Sequence, residues 1–439
     1  MAVTSKLTRP ARWNRLMALG VALSFFATAC GSSSTASGPS ASAPGITATD
    51  ITIGSTQPLT GPAAPGYSEI SKASNAYFSW VNDHGGVLGR KIIYKYEDDG
   101  YNPANTTTIT RKQVLQDKVF AEFDQLGTPT HLSVVDYLND AKVPDLFVAS
   151  GCDCWNTTFN HPYTYGWQPD YTIEGQILGQ YITKNFAGQK VGYFAQDDEF
   201  GSDGVKGLDL QLASTDVVSR QKYVPTNTAI GTQIAALQAS GAKVVVLYSI
   251  PAFTALMLLG AAKVGFHPTW VVSNVGADIT TLTGLVTKFS AGKAGAGLLE
   301  GIVSDYYLPN LSDATDPWIK LFQQIHDKYI SDLPFDGNVE YGMGVAYSFV
   351  ETMTRAGQNP TRQDVIDTLN SGKVGRGPGL APLGYSTNNH LGYLGVRMLI
   401  VQGGKVAPQG AVYTSTDTGP IKSYTDPELT PPANGIPAP

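Results

Sequence analysis

Charge is scarce in this sequence. Asp, Glu, Lys and Arg make up 15% of 439 residues, against 42% hydrophobic residues. Such a chain is not disordered, and its length fits two or three domains with sizeable cores. Basic residues are the minority, 30 against 36 acidic, which argues against nucleic acid as a partner. Cysteine is nearly missing, with three residues, and the six histidines have no metal-ligand spacing. There is no nucleophile elbow, no HExxH and no P-loop. His131, His161 and His267 are scattered and form no catalytic set, so no enzyme class, cofactor or metal is indicated. Long apolar runs are also missing after residue 29. The best rival, residues 252–264, is broken by Gly260 and Lys263 and is too interrupted to cross a membrane.

The first 30 residues stand apart. Lys6, Arg9, Arg12 and Arg15 are basic, no acid precedes Asp50, and an apolar run occupies residues 16–29. This reads as a signal peptide, residues 1–29. It ends Ala27-Thr28-Ala29-Cys30-Gly31, which resembles the bacterial lipobox with Ala27 where that pattern favours Leu. The resemblance implies lipidation of Cys30; simple cleavage would leave a free thiol. The low-complexity residues 30–49 read as a flexible tether. Without residues 1–29, 26 of the 30 basic residues remain against 36 acidic ones, a net −10.

From Asp50 onward strand-like and helix-like segments alternate, which implies parallel sheets with right-handed crossovers. Residues 144–148 are a short branched and aromatic run, expected to be a buried parallel strand. The turn Ala149-Ser150-Gly151-Cys152-Asp153-Cys154-Trp155 follows. Ligands of open α/β sheets bind beyond the carboxyl ends of strands, so this turn is expected at a cleft. Ile70, Ala73, Tyr77, Trp80 and Val81 fall on one helical face. Residues 104–118 and a segment bearing Leu132, Val135 and Leu138 each read as one helix, and 119–123 as a strand. Residues 163–170 break the alternation, which then resumes, so two lobes are expected. Thr361 reads as a helix N-cap. The Pro-rich residues 418–439 are expected to be extended or disordered.

Four stretches carry a family resemblance: Gln57-Pro58-Leu59-Thr60-Gly61-Pro62-Ala63-Ala64, residues 82–92 (NDHGGVLGRKI), Glu97-Asp98-Asp99-Gly100-Tyr101 with Pro103, and Gly127-Thr128-Pro129-Thr130. In this order and spacing they resemble the leucine/isoleucine/valine-type substrate-binding proteins of ABC transporters, over nearly the whole mature chain. The resemblance implies an α/β, type I periplasmic-binding fold: two lobes, each a parallel sheet flanked by helices, joined by three hinge crossovers. Lobe one is expected at residues 51–168 plus 306–383, and lobe two at 169–305 plus 384–415. A small polar or amphipathic solute would be captured between them: a branched-chain amino acid, an aromatic or other carboxylic acid, or an amide. The protein would act as a monomer, anchored outside the cell membrane, and deliver the solute to ABC importer permease subunits. The alternative is a ligand-sensing receptor that signals to a membrane partner.

The same resemblance implies the site residues. Gly127, Thr128, Thr130, Ser150, Gly151 and Cys152 would hold the polar head from lobe one. Gln196, Asp198, Phe200 and Asn274 would face them from lobe two, with Gln57, Trp155 and Tyr171 along the wall. Amino-acid binders of the family commonly carry a carboxylate near the Asn274 position, and Asp198 could compensate for its absence. Cys152 and Cys154 read as a tight disulfide, as two free thiols or, least, as part of a metal site.

Overall fold

The computed structural model describes residues 38–427 and 429–438. The expected signal peptide, Cys30 and residues 30–37 of the tether lie outside the described residues. Residues 38–49 do not form a free tether. Arg90, 1% exposed, gathers them with its guanidinium, which donates to Thr47 O, Ser40 O and Asn359 Oδ1 at 2.6–2.9 Å and also to Gln358 O. A buried cation keeps such a position only when its donors are satisfied, so this contact fixes where the fold begins.

The first lobe starts β1 (Asp50–Gln57), α1 (Ala64–Tyr67), α2 (Ile70–Asp83), β2 (Lys91–Asp98) and α3 (Pro103–Lys112). It continues β3 (Glu122–Phe123), α4 (Thr128–Leu132), α5 (Val135–Asp140), β4 (Asp145–Val148) and β5 (Thr164–Gly166). Its five strands pair in parallel in the order β2-β1-β3-β4-β5. The second lobe runs α6 (Tyr171–Asn185), β6 (Val191–Gln196), α7 (Glu199–Asp209), β7 (Val217–Tyr223), α8 (Gly231–Ala239) and β8 (Val244–Tyr248). Then come α9 (Pro251–Lys263), β9 (Thr269–Val272), α10 (Ile279–Phe289) and β10 (Val303–Tyr306). The chain returns to pack α11 (Pro317–Tyr329), α12 (Gly337–Ala356) and α13 (Arg362–Asn370) on the first lobe, and closes the second sheet with β11 (Gly395–Gln402), β12 (Lys405–Thr414) and β13 (Lys422–Tyr424). That sheet has the order β13-β12-β11-β10-β9-β8-β6-β7, with the last three strands in sequence antiparallel.

Continuous apolar runs became the central strands. Every residue of β8, Val-Val-Val-Leu-Tyr, is buried. Helices cover both faces, so no alternation is needed, and each Val or Leu contributes about 1.5–3 kcal/mol. The predicted face of α2 is buried at Ile70, Ala73, Tyr77, Trp80 and Val81. Gly342 lets α12 cross it closely: a Cβ there would lie 2.3 Å from Ile70 O. Thr361 caps α13 with a full capping box.

Other expectations need correction. The helix expected over 104–118 ends its α part at Lys112 and closes in a π turn, Gln113–Asp117, with Lys118 left-handed. The helix expected across Leu132–Leu138 is two, α4 and α5. Ser133 Oγ bonds Thr130 O and Pro103 O, which competes with helix propagation, and Val134 leaves the helical region. Of 119–123 only β3 is paired as strand. The Pro-rich tail is extended in part but held in place. After β13 it crosses to the first lobe, where Trp318 Nε1 bonds Leu429 O (2.6 Å), Trp80 Nε1 bonds Asn434 O (3.0 Å) and Tyr77 OH bonds Gly435 O (2.6 Å).

The lobes are joined where three chain segments lie side by side. Tyr393 N bonds Trp167 O at 3.0 Å and Leu380 N bonds Tyr307 O at 2.8 Å. Trp167 meets Tyr341 and Tyr393 edge-on, with centroids 5.0 and 5.2 Å apart, and Tyr307 adds to the cluster. Gly392 is required here, since a Cβ would meet Trp167 O at 2.0 Å. Large rigid rings thus pack around the crossing strands.

Candidate functional site

A cavity of about 340 Å³ lies between the carboxyl ends of the two sheets' strands. Gly127 and Thr128 follow β3, Ala149 follows β4, Asn274 follows β9, and Asp305 and Tyr306 end β10. Tyr67, Ile70, Tyr101, Phe200, Ile250 and Phe335 are among the aromatic and aliphatic residues completing the wall. This is the usual placement for ligands of open α/β sheets.

Some positive-φ residues lie at or beneath the first lobe's side of the cavity, with Tyr101 in its lining. Tyr101, Asp124 and Phe147 have φ of 59°, 53° and 63°. For large or branched side chains this is strained. At Phe147 the pairing of β4 with β5 slips, and the following turn is re-aimed. Gly127, at φ 107°, has no alternative: a Cβ would lie 2.5 Å from both Thr130 Oγ1 and a Tyr101 ring carbon.

Five of the sequence-predicted site residues line the cavity: Gly127, Thr128, Tyr171, Phe200 and Asn274. Thr128 Oγ1 shares a 2.7 Å hydrogen bond with Ser150 Oγ, and the Tyr171 hydroxyl interacts with both. Gln168 Nε2 also donates to Tyr171 OH at 3.2 Å. Phe200 packs on Tyr171 with centroids 4.7 Å apart.

The structure places the other eight behind that wall. Gln57 belongs to the end of β1 and donates from Nε2 to Asp124 O and Ser55 Oγ, while its Oε1 has no hydrogen-bond partner among the described residues. Thr130 turns its hydroxyl back to Leu126 O (2.6 Å) and Gly127 O (3.0 Å). Ser150 is fully buried and positions Thr128. Gly151 receives the first crossover through Tyr171 N at 2.7 Å. Cys152 is bonded to Cys154 as a disulfide. Trp155, 1% exposed, donates from Nε1 to Ser150 O at 2.9 Å and meets the His131 ring edge-on, so it is a support beneath the turn. Gln196 binds Asp198 (2.5 Å), Tyr223 (2.9 Å) and, across the lobes, Tyr101 OH (3.3 Å). Asp198 caps α7 through Gly201 N, and burial raises its pKa. It is not at hand to replace a carboxylate at Asn274.

Two other acids are. Asn274 Nδ2 donates to Glu174 Oε1 at 2.8 Å and Asp305 Oδ2 at 2.9 Å, and Asn274 N also donates to Glu174 Oε1 at 2.8 Å. Burial pushes both acids up, and Glu174 beside it pushes Asp305 further. Asp305 lines the cavity, and its Oδ1 has no hydrogen-bond partner among the described residues. Glu340, from α12, also lines the cavity with an unpartnered Oε1, and its pKa is raised by burial. The sequence signal for Asp305 was its place at a strand's carboxyl end; Glu174 sits in the first turn of α6, where an acid is ordinary, and gave none. Among the described lining residues there is no Lys, Arg or His.

The lobes touch around the cavity. Tyr67 OH donates to Val275 O at 2.5 Å, Gly337 N to Asp278 Oδ2 at 3.1 Å, and Asn338 Nδ2 to Thr281 Oγ1 at 3.1 Å. Asp336, the N-cap of α12, sits at this seam. Burial, then Asp278 and Glu69, push it up to about 8.

The chain matches the family described as periplasmic binding protein over residues 50–405. It is 25% identical over 203 residues to Leu/Ile/Val-binding protein homolog 3 of Brucella melitensis, covering 45% of this chain and 53% of that protein. The chain thus spans about half the length of this curated relative. A branched-chain amino acid ABC transporter structure from Thermus thermophilus with bound valine superposes with a TM-score of 0.73 at 20% identity, covering 84% of this chain and 97% of that one. A fatty acid ABC transporter substrate-binding protein from Thermomonospora curvata gives 0.73 at 21% identity, covering 86% and 95%. At such identities these structures establish the fold, two lobes of the type I kind. The family is one of extracytoplasmic solute-binding proteins, and among the described residues no helix is long and apolar enough to cross a membrane. The chain belongs to the periplasmic binding protein family.

Proposed function

We propose that this protein captures a small amphipathic solute between its lobes and delivers it to an ABC importer. The observation that carries the reading is the cavity itself, walled from both sheets by apolar rings and a few convergent polar groups. The Thr128 hydroxyl, backed by Ser150 and Tyr171, would receive one polar end. Asp305 Oδ1 would accept from a donor at the other, and Phe200, Ile250 and Phe335 would cover an apolar body. Lacking a cation, the lining disfavours a multiply charged anion. Valine and fatty acids, named for the two structural relatives, share one carboxyl head and an apolar body, which fits this division. A solute touching both lobes favours the closed state by its differential affinity, and closure is what a permease would read. Lipidation at Cys30 would keep the protein beside that permease.

A thermal-shift screen over amino acids, aromatic and fatty acids and amides tests the reading. A true solute at 100 times its Kd adds about 2.7 kcal/mol of stability. No shift with any class, or turnover of the bound compound, would sink it.

A further inference from the structure

One acid in the cavity wall does no work in the fold. Glu340 lies in the first turn of α12, is 4% exposed and lines the cavity. Its Oε1 has no hydrogen-bond partner among the described residues. The acids around it are all engaged. Asp316 caps α11 through Trp318 N (2.7 Å) and Ile319 N (3.1 Å). Asp278 caps α10 through Thr281 N (2.7 Å) and takes Gly337 N (3.1 Å) with its other oxygen. Asp336 caps α12 through Asn338 N (3.0 Å) and Val339 N (3.1 Å), and the Glu69 side chain hydrogen-bonds it. Asp305 is held by Asn274 and Glu174. The charged groups acting on Glu340 among the described residues are Asp316, Asp278 and Asp336, all acids, while Lys72 acts on Glu69. A helix N-terminus favours an acid in its first turn, but an exposed acid would serve that end. The gain is also smaller than the cost of leaving a buried carboxyl unpaired. A partnerless buried acid on a ligand cavity calls for a donor from the ligand.

The rest of the wall narrows what that donor is. Asp278, Asp305 and Glu340 line the cavity, and among the described lining residues there is no Lys, Arg or His. The hydroxyls of Thr128 and Tyr171 can receive a neutral polar group. A carboxylate would add like charge to this wall, whereas an ammonium group supplies the positive charge it lacks. Burial holds a proton on Glu340 when no cation stands beside it, and an ammonium group would displace that proton to solvent. Resting on the solute-capture reading above, we propose that Glu340 receives a protonated amine, and that the solute is an amphipathic organic cation with an alkyl or aryl body and no carboxylate.

Calorimetric titration of the full mature chain tests this. Phenethylamine and hexylamine are compared with their alcohols, phenethyl alcohol and hexanol, with the acids hydrocinnamate and hexanoate, and with phenylalanine. The amines are expected to bind at least about tenfold tighter than the rest. Their binding should also release a proton, read as a heat that varies with the ionisation enthalpy of the buffer. Glu340→Gln should erase most of the amine's advantage over the alcohol, together with the proton release. An acid or phenylalanine that binds as tightly as the amines overturns the proposal, and so does a Glu340→Gln protein that keeps the amine preference. Amines that fail to bind, where an acid or amide from the thermal-shift screen succeeds, overturn this inference and leave the capture reading standing. If nothing binds, amines included, both fall. If Glu340→Gln does not fold, the wild-type ratio of amine to alcohol affinity and its proton release decide.

Discussion

The two sheets meet the cavity with different chemistry. The strand ends of the first sheet bring a hydroxyl pair, Thr128 and Ser150, resting on the packed indole of Trp155. Those of the second bring Asn274 and Asp305, with Glu174 behind them. The strand ends of the first sheet are neutral and braced by packing, and the one lining acid of that lobe, Glu340, comes from α12; the strand ends of the second sheet hold buried acids joined through one amide. A rigid neutral face can accept a head group without a change of protonation. An acidic face has to share protons or find donors, so it is the side where solute chemistry and pH are felt. The same contrast explains the neutral Asn274. It has two carboxyl neighbours already, and a third there would add like charge beside two buried acids.

The largest effect expected from perturbing this contrast falls on the braced face. Trp155→Ala removes a fully buried ring and should cost about 3–5 kcal/mol in urea unfolding. A loss below about 1 kcal/mol would mean the turn is held by the disulfide and backbone alone. A smaller effect concerns pH and the acid-laden seam between lobes. Asp336 is pushed up to about 8, whereas an unfolded aspartate loses its proton near 4. Between those values the unfolded chain holds fewer protons, so this group's contribution to stability is full below about pH 4, falls as pH rises, and is gone above about 8. Because Asp278 of the second lobe contributes to the shift, closure is also favoured by lower pH. Asp336→Asn keeps the helix cap and should flatten the stability-against-pH slope by at most about one proton. An unchanged slope would assign the pH response to other buried acids.

Much of this architecture was legible in the sequence because its signals are local. Residues 144–148 read as a buried strand from their branched and aromatic run, and the α2 face repeated at helical spacing. Thr128 and Asn274, which the family resemblance named, line the cavity. What was not legible depends on partners distant in the chain. Glu174 and Asp305 become a pair only when the crossover folds back against α6. Trp155, Gln57 and Thr130 were named through the resemblance, yet Trp155 Nε1, Gln57 Nε2 and the Thr130 hydroxyl donate to backbone carbonyls. The tail's anchors are its own carbonyls, taken by Trp80, Trp318 and Tyr77, and a run of prolines carries no mark of that.

The claim that one solute is held by both faces at once is tested most directly by calorimetric titration. The solute identified by the screen is titrated into wild type, Thr128→Ala and Asn274→Ala. Each variant is expected to bind about tenfold more weakly, the loss of roughly one hydrogen bond to a buried group. Unchanged affinity in both would contradict the account and place the solute elsewhere.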